Sequence, residues 1–348
     1  MNLEDLTLRL AQTHDALQRR AGRAVDLSLV ARNWLFGYGI VAFEQNGEDR
    51  AEYGSRLIES LAKRLKAAGV PGCSTTNLRY CRQFYEAFPA IRQTMSGESG
   101  LMPTADTLAQ LSEALPLGWS QYLVLMTLKN PEERAFYERE ARAGEWTVRE
   151  LERQVSSALY ERLALSRDTE GVRALASQGQ VIESPRDAIK DPYILEFLGL
   201  EERASYSESE LETALIDNLE HFLLELGKGF LFEARQKRFT FDEDHFKVDL
   251  VFYNRLLHCY VLIDLKLDKL THQDLGQMQM YVNYFDRHVK LADENPTVGI
   301  VLCKRKNDAL VELTLPQDAN IFASAYQLYL PSKEELRRQL ERMTFPKR

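Results

Sequence analysis

The chain has 348 residues, which predicts two domains because one hydrophobic core rarely serves more than about 250 to 300 residues. Its composition, 45% hydrophobic and 28% charged, is that of an ordinary soluble globular protein, while its net charge of −8 argues against nucleic-acid binding unless basic residues cluster locally or metal ions supply positive charge. The four cysteines have no CxxC pairing and no histidine partner at metal-ligand spacing, which argues against a zinc module and against a disulfide-built secreted domain.

The N-terminal segment predicts a cytoplasmic protein. MNLEDLTLRLAQTHDALQRR alternates charge with leucine and has no apolar core of signal-peptide length. No other stretch approaches about 18 uninterrupted apolar residues, so we expect no membrane partner.

Residues 1 to 165 carry apolar side chains at three- and four-residue spacing, which predicts an all-helical N-terminal domain. Within it, AEYGSRLIESLAKRLKAAG predicts an amphipathic helix that ends at Gly69. A second helix follows, capped by Ser74 or Thr75 and ending at Phe88 before a proline. Helix, short turn and helix is the outline of a helix-turn-helix unit, and we interpret the domain as helix-turn-helix or winged-helix-like.

The second helix of this pair presents polar and basic residues that suit contact with DNA. Between Tyr53 and Arg92 there are seven Lys or Arg against two acidic residues, so the segment is locally basic although the chain is acidic. The alternative is a solvated helical face on an interaction domain, which would serve a homo-oligomer or a protein partner. The residues predicted to contact DNA are Asn77, Arg79, Arg82 and Gln83.

Residues 166–206 are predicted to form a linker that ends in a short apolar docking helix, DPYILEFLGL. From 207 to 348 the pattern is that of an α+β domain. SESELETALIDNLEHFLLELGKG predicts one helix that ends at Gly227 or Gly229, followed by three strands, a helix opened by a capping box at Thr271, and a further strand. This order predicts a mixed sheet flanked by helices.

Three charged residues lie inside the apolar hairpin KVDLVFYNRLLHCYVLIDLKL. Side chains alternate faces along a strand, so Asp264 and Lys266 point the same way, and Asp249 pairs roughly across from Asp264. Two carboxylates this close repel each other unless positive charge lies between them, which Lys266 or, better, a divalent cation can provide. A surface ion pair on an edge strand is the alternative.

A divalent cation at this hairpin is the predicted cofactor. Mg²⁺ or Mn²⁺ prefers oxygen ligands, which Asp249, Asp264 and the backbone carbonyl of Leu265 would supply. Lys266 would then assist the attacking water and stabilise charge in the transition state.

The spacing of these residues resembles a known superfamily. Asp249, fourteen intervening residues and the run Asp264-Leu265-Lys266 resemble the PD-(D/E)xK nucleases, with Val248 in place of the motif's proline. The resemblance implies a nuclease-like mixed sheet and metal-dependent cleavage of phosphodiester bonds.

The helices on either side extend the resemblance. QMQMY resembles the QxxxY motif of bacterial recombination-nuclease domains, which implies that Gln277 and Tyr281 contact substrate or metal-site residues. The superfamily usually adds a carboxylate from the first core helix, for which we select Glu220 over Glu212 and Glu225 as a metal ligand. Stretches such as NLRYCRQFYEAFP and CYVLIDLKLDKLTHQDLGQMQMYVNYFD resemble the YhcG family, whose members join a helical N-terminal domain to a nuclease-like domain.

The functional prediction is a Mg²⁺-dependent nuclease that hydrolyses DNA in DNA processing, restriction or defence. Its predicted catalytic residues are Asp249, Asp264, Lys266, Gln277 and Tyr281. One alternative is a nucleic-acid-binding or assembly protein that uses a nuclease fold without turnover, and another is a helical oligomerisation scaffold. RNA as the substrate, and endonuclease against exonuclease action, stay open.

Overall fold

The computed structural model describes residues 3–46, 56–88, 105–165, 169–200, 206–241, 243–316, 319–330 and 332. The chain divides into two compact units, Met1–Glu152 and Arg153–Arg348. The predicted fold class, a helical N-terminal region followed by a mixed sheet with flanking helices, is confirmed. None of the helices described here is long and apolar enough to cross a membrane.

The regular elements described in the first unit are all helices. The helices are α1 (Leu3–Asn46), α2 (Leu57–Ala67), α3 (Thr75–Ala87), α4 (Ala105–Ala114), α5 (Trp119–Leu125), α6 (Pro131–Ala143) and α7 (Val148–Ser156), the last of which crosses the boundary between the units.

Helices α2 and α3 are joined by a short turn, as the sequence predicts. Ser74 caps α3 by accepting a hydrogen bond from the backbone N–H of Asn77 at 3.1 Å. The turn contains Gly69 and Gly72, both at φ +75°, a conformation that glycine adopts without steric cost. Apolar side chains from α2, the turn and α3 pack against Ile40 of α1. The assignment of this pair to a DNA-binding helix-turn-helix class stays a prediction.

The second unit begins with α8 (Leu159–Leu165), which precedes the predicted linker. The segment predicted to be a linker contains short elements, namely α9 (Thr169–Gln178), α10 (Pro185–Ala188), β1 (Tyr193–Ile194) and a 3₁₀ turn (Glu196–Leu198).

The prediction of a docking helix in DPYILEFLGL is wrong for the first half of this segment, which contains strand β1. Strand β1 pairs in parallel with a later strand, Tyr193 opposite Tyr326. The backbone N–H of Ile194 donates to Glu225 at 2.9 Å, and that of Leu195 donates to the carbonyl of Gln327 at 2.7 Å. These backbone N–H groups bind acceptors that are distant in sequence, so the segment forms a strand although its local pattern predicts a helix.

The remaining elements form the sheet and its covering helices. They are α11 (Glu208–Asp217), α12 (Leu219–Leu226), β2 (Phe230–Phe241), β3 (Asp244–Asn254), β4 (Cys259–Lys269), α13 (His272–His288), β5 (Val298–Arg305), α14 (Asp308–Thr314) and β6 (Ile321–Gln327).

The strands form one mixed sheet with the order β1-β6-β5-β4-β3-β2. Strands β2, β3 and β4 are antiparallel neighbours, as hairpins require, while β4, β5, β6 and β1 pair in parallel. Helices cover both faces: Leu211 and Phe222 pack on one, whereas Met278 and Phe285 of α13 pack on the other. This layering explains why β4 and β5 are apolar nearly throughout.

The prediction of a single helix after residue 207 is wrong. The helix is interrupted at Asn218 and forms two helices, α11 and α12. Asn218 leaves the helical conformation at φ −115° and ψ 34°, and its side-chain amide donates to the carbonyl of Ala214 at 3.0 Å. Side chains of this type compete with the backbone for helical hydrogen bonds. The break rotates the two halves, so acidic residues before and after it do not share one face.

A buried ion pair fixes the first part of the second unit. The guanidinium of Arg162 pairs with the carboxylate of Glu225 at 2.5 Å, and both side chains are fully buried. Arg162 also donates to the carbonyls of Ser157 (2.9 Å) and Pro192 (3.0 Å). Burial of these charges is tolerated because both have charged and hydrogen-bonding partners. Helix α8 and the segment around Pro192 are therefore fixed to α12 of this unit.

We expect Arg162→Ala to lower the free energy of unfolding by about 3 to 5 kcal/mol, because it leaves the buried Glu225 charge without its main partner. Urea denaturation of the full chain measures the change. The control is Arg79→Ala, whose ion pair with Glu59 is exposed by 62% and 53% and should contribute less than about 1 kcal/mol. Equal effects of the two substitutions would contradict the assignment.

Candidate active site

The two aspartates lie where strands β3 and β4 separate. The antiparallel ladder ends at the pair Leu250 and Ile263, so Asp249 and Asp264 are one position beyond it. Asp249 Oδ2 accepts a hydrogen bond from the backbone N–H of Leu265 at 2.9 Å, in place of the missing ladder partner. Because the N–H and C=O of one strand residue point to the same side, the Leu265 carbonyl faces this gap too.

Lys266 is the charge partner of Asp264. Asp264 is buried, with 3% of its surface exposed, and its Oδ2 lies 2.9 Å from Lys266 Nζ. This contact is an ion pair, in which one ammonium group faces two neighbouring carboxylates. The remaining negative charge suits the site to a further cationic ligand.

The ionisation of the site reflects burial and crowding of negative charge. Burial, together with the nearby charge of Asp264, raises the pKa of Asp249 to about 6. Burial also raises the pKa of Asp264, against the opposing effect of Lys266. Burial acts to lower the pKa of Lys266, but the charge of Asp264 outweighs it and the pKa lies above its ordinary value. Lys266 is therefore cationic at neutral pH, and the cluster still lacks positive charge.

The helix carboxylate that approaches the pair is Glu212 of α11. It is 3% exposed, lines the same cavity as the aspartates, and its charge is one of the causes that raise the pKa of Asp249. Glu220, the residue selected from sequence, is exposed on α12 and does not line the cavity. Glu225 is engaged in the buried ion pair with Arg162. Of these three carboxylates, the alternative, Glu212, is thus the one that lines the cavity.

Strand β2 holds Glu212 through two contacts that sequence reasoning missed. Arg235 Nε donates to one carboxylate oxygen at 2.6 Å and Gln236 Nε2 to the other at 2.7 Å. Gln236 has φ +49° and lies between two ladder pairs, opposite Asp249. A left-handed conformation costs a non-glycine residue about 1 to 3 kcal/mol, so its surroundings impose it. No signal in FLFEARQKRFTF indicates this irregularity.

The predicted motif residues Gln277 and Tyr281 of α13 lie together beside the aspartates. The Gln277 amide donates to the Tyr281 hydroxyl, which donates to the backbone carbonyl of Lys247 at 2.9 Å. Tyr281 is 1% exposed, so its ring belongs to the core between α13 and the sheet. The tyrosine therefore fixes β3 two residues before Asp249, while Gln277 lines the cavity.

An open cavity of about 430 Å³ unites these groups. Among the residues that the structure describes, no three His, Cys, Asp or Glu side chains are arranged to hold a metal ion by themselves. Glu212 instead bonds to β2. Lining side chains are Glu208, Ser209, Glu212, Gln236, His245, Phe246, Lys247, Asp249, Asp264, Lys266, Gln277 and Tyr281.

The four residues predicted to contact DNA all make contacts within the first unit. Asn77 donates to the carbonyl of Gly72 at 2.8 Å, and Gln83 to that of Met126 at 3.3 Å. The two arginines are exposed and form ion pairs with neighbouring helices, Arg79–Glu59 (3.1 Å) and Arg82–Glu44 (3.1 Å). The arginines and Gln83 are exposed to a ligand, whereas Asn77 is half-buried.

Comparison with known proteins places the two regions in described families. Residues 186–341 match the family described as "YhcG PDDEXK nuclease domain", and residues 9–162 match the "DUF1016 N-terminal domain". The second unit is therefore a nuclease domain of the PD-(D/E)xK class.

The whole chain has a curated relative. It is 40% identical over 342 residues to a protein of Escherichia coli (strain K12) named "Putative nuclease YhcG", covering 94% of this chain and 91% of that one. The chain belongs to the YhcG family. A solved structure of a repair endonuclease from Pyrococcus abyssi aligns with 38% of this chain and 51% of that chain, at 18% identity and a TM-score of 0.26.

We expect Asp249→Asn to stabilise the metal-free protein above pH 6. Since folding raises the pKa of Asp249 to about 6, the protonated carboxyl stabilises the fold at low pH, and this stability is lost as the pH rises through the folded pKa. Asparagine does not ionise and still accepts the Leu265 N–H. The gain is at most about 3 kcal/mol, because one pKa unit is about 1.4 kcal/mol.

Thermal unfolding with a chelator, well below and well above pH 6, checks this prediction. The advantage of the asparagine variant should grow with pH. The matched control, Asp268→Asn, replaces an exposed aspartate of the neighbouring strand β4 and should give no pH-dependent advantage. An advantage that is independent of pH would contradict the raised pKa.

Proposed function

We propose that this chain is a divalent-metal-dependent nuclease that hydrolyses phosphodiester bonds of DNA. The observation that carries the proposal is the cluster of buried Asp264 with half-buried Asp249 and Lys266 at the end of the β3–β4 ladder, within a PD-(D/E)xK nuclease domain. Burying two carboxylates beside one lysine lowers stability, and a purely structural role gives no reason to keep them.

A divalent cation, Mg²⁺ or Mn²⁺, would be held by Asp249, Asp264 and the carbonyl of Leu265. The excess of negative charge at Asp249 and Asp264 over the single ammonium of Lys266 supports this fit, and one or two carboxylates suffice for Mg²⁺ when waters and phosphate oxygens complete its shell. When bound, such a cation neutralises phosphate charge and lowers the pKa of a water. Glu212, rather than Glu220, would add the helix-borne carboxylate.

Lys266 and Gln277 act on the substrate in this proposal. Lys266 stays cationic and half-buried beside Asp264, so its ammonium stabilises charge that develops on the phosphate and orients the attacking water. Gln277 lines the cavity and positions the nucleic acid, whereas Tyr281 holds the backbone of Lys247 in place and acts as a positioning residue.

The expected partner is therefore nucleic acid. A cytoplasmic location forms part of the proposal, because all four cysteines are unpaired and buried, as a reducing compartment allows. A homo-oligomer or protein partner bound through the helical first unit stays a prediction.

Purified full-length protein should cleave DNA with Mg²⁺ or Mn²⁺ and not with a chelator. In a panel of single-stranded, duplex and branched DNA, Asp264→Asn and Lys266→Met should each reduce the rate by at least about 100-fold, the usual loss when one transition-state contact is removed. Circular dichroism checks that the variants stay folded.

The matched controls for this assay are Asp268→Asn and Lys269→Met, which replace exposed residues of the same types on the same strand. They should cleave at the wild-type rate. Wild-type cleavage by Asp264→Asn would contradict the mechanism. No cleavage of any substrate with either metal would favour the non-catalytic nucleic-acid-binding protein.

The predicted DNA contact of helix α3 has its own test. If Arg79 and Arg82 each neutralise one phosphate, the double alanine variant should reduce the slope of log affinity against log salt by about two. Duplex binding over a salt series, in chelator, gives this slope. Lys129→Ala, an exposed cation elsewhere in the first unit, should leave it unchanged. A double variant with the wild-type slope would contradict the contact.

A further inference from the structure

A second concave surface lies on another face of helix α13. It encloses about 330 Å³ between α13 and the tip of the β2–β3 hairpin. The α13 side chains that line it recur every three or four residues and so form one stripe. We call this surface the aromatic cleft. Its aromatic and polar side chains include Phe241, Gln279, Asn283, Tyr284, Arg287 and His288.

The aromatic rings of the cleft pack against one another, and one of them is largely exposed to solvent. Tyr284 stacks on Phe239, with ring centroids 4.0 Å apart and planes inclined by 19°. The ring of His288 lies 5.0 Å from Tyr284 and 6.4 Å from Phe241. Phe241 itself is 58% exposed. An exposed phenyl ring forgoes the free energy of burial, so a flat apolar ligand that covers it would bind favourably.

The polar side chains of the cleft suit a ligand with both negative charge and hydrogen-bonding edges. Gln279 and Asn283 are one helical turn apart, and the single contact between them, at 3.4 Å, is long. Arg287 is exposed, and within the described part of the chain it has neither an ion pair nor a hydrogen bond. Guanidinium groups bind phosphate well, and side-chain amides bind the edges of bases.

The cleft lies close to the candidate active site. Gln277 and Tyr281 line the catalytic cavity from one side of α13, whereas Gln279 and Asn283 line the cleft. A helix is about 10 to 12 Å wide with its side chains, which is the length of only a few nucleotides of extended strand. A strand bound in the catalytic cavity can therefore reach the cleft.

We propose that the aromatic cleft binds an unpaired base of the substrate a few nucleotides from the bond that is cleaved. The base stacks against Phe241, its edge bonds to Gln279 and Asn283, and Arg287 contacts the adjacent phosphate. Bases in a duplex are stacked on both faces and cannot enter without unpairing, so the cleft selects single-stranded or frayed substrate. This inference rests on the proposed function for its nucleic-acid ligand.

Binding of the full-length chain to labelled oligothymidylate in chelator tests the proposal. Phe241→Ala and Phe241→Leu should weaken binding by about 5- to 150-fold, the range for one lost base–aromatic stack, whereas Phe241→Trp should retain it. Leucine keeps apolar bulk without the aromatic face, so it separates stacking from hydrophobic contact. A base-free oligonucleotide should bind the wild-type chain as weakly as oligothymidylate binds Phe241→Ala.

Leu256→Ala is the matched control, because it removes another exposed apolar side chain, 45% accessible, in the turn that follows strand β3. It should bind oligothymidylate normally. Wild-type affinity of Phe241→Leu, or equal binding of the base-free oligonucleotide, would overturn the stacking site even if the protein cleaves DNA. Binding that depends on Phe241 without any cleavage would support the cleft and contradict the nuclease.

Discussion

The separation of strands β3 and β4 beyond Leu250 and Ile263 is the feature on which the site depends. Where the ladder stops, one backbone N–H would be left without a partner inside the protein, and the carboxylate of Asp249 accepts from it. The same opening brings Asp249 next to Asp264, and burial raises the pKa of both. Lys266 compensates only part of this negative charge. Without a bound cation, this charged cluster in an otherwise apolar sheet lowers the stability of the fold.

The rest of the second unit holds this opening in a fixed geometry. On one side, the side chains of Arg235 and of Gln236, which has a left-handed backbone conformation, fix Glu212 next to the gap. On the other side, Tyr281 binds the backbone of β3 just before Asp249. Both sets of contacts hold groups that line the cavity, and the residues that make them belong to the packed protein. Such support from neighbouring residues is what keeps a reactive cluster within the small tolerances that catalysis requires.

The sequence predicted the strand order of the hairpins, the mixed sheet and the meeting of Asp249, Asp264 and Lys266, because all of these follow from the alternation of side chains along strands. It selected Glu220 over the alternative Glu212, because the break at Asn218 involves a side-chain hydrogen bond that periodicity does not reveal. Strand β1 was missed for a similar reason: its donors bind Glu225 and a distant strand, and local pattern does not contain distant partners. The structure also gives Tyr281 a supporting position that the QxxxY pattern leaves open.

Calorimetric titration of Mn²⁺ into the metal-free chain tests the central claim most directly, that the aspartate pair is a cation site. Binding should release a proton near pH 6, because the pKa of Asp249 is raised to about 6 and the bound cation requires its ionised form. Asp249→Asn and Asp264→Asn should abolish binding, Glu212→Gln should weaken it, and Glu220→Gln should leave it unchanged. Mn²⁺ affinity that survives both aspartate substitutions, or the absence of any binding to the wild-type chain, would contradict the account.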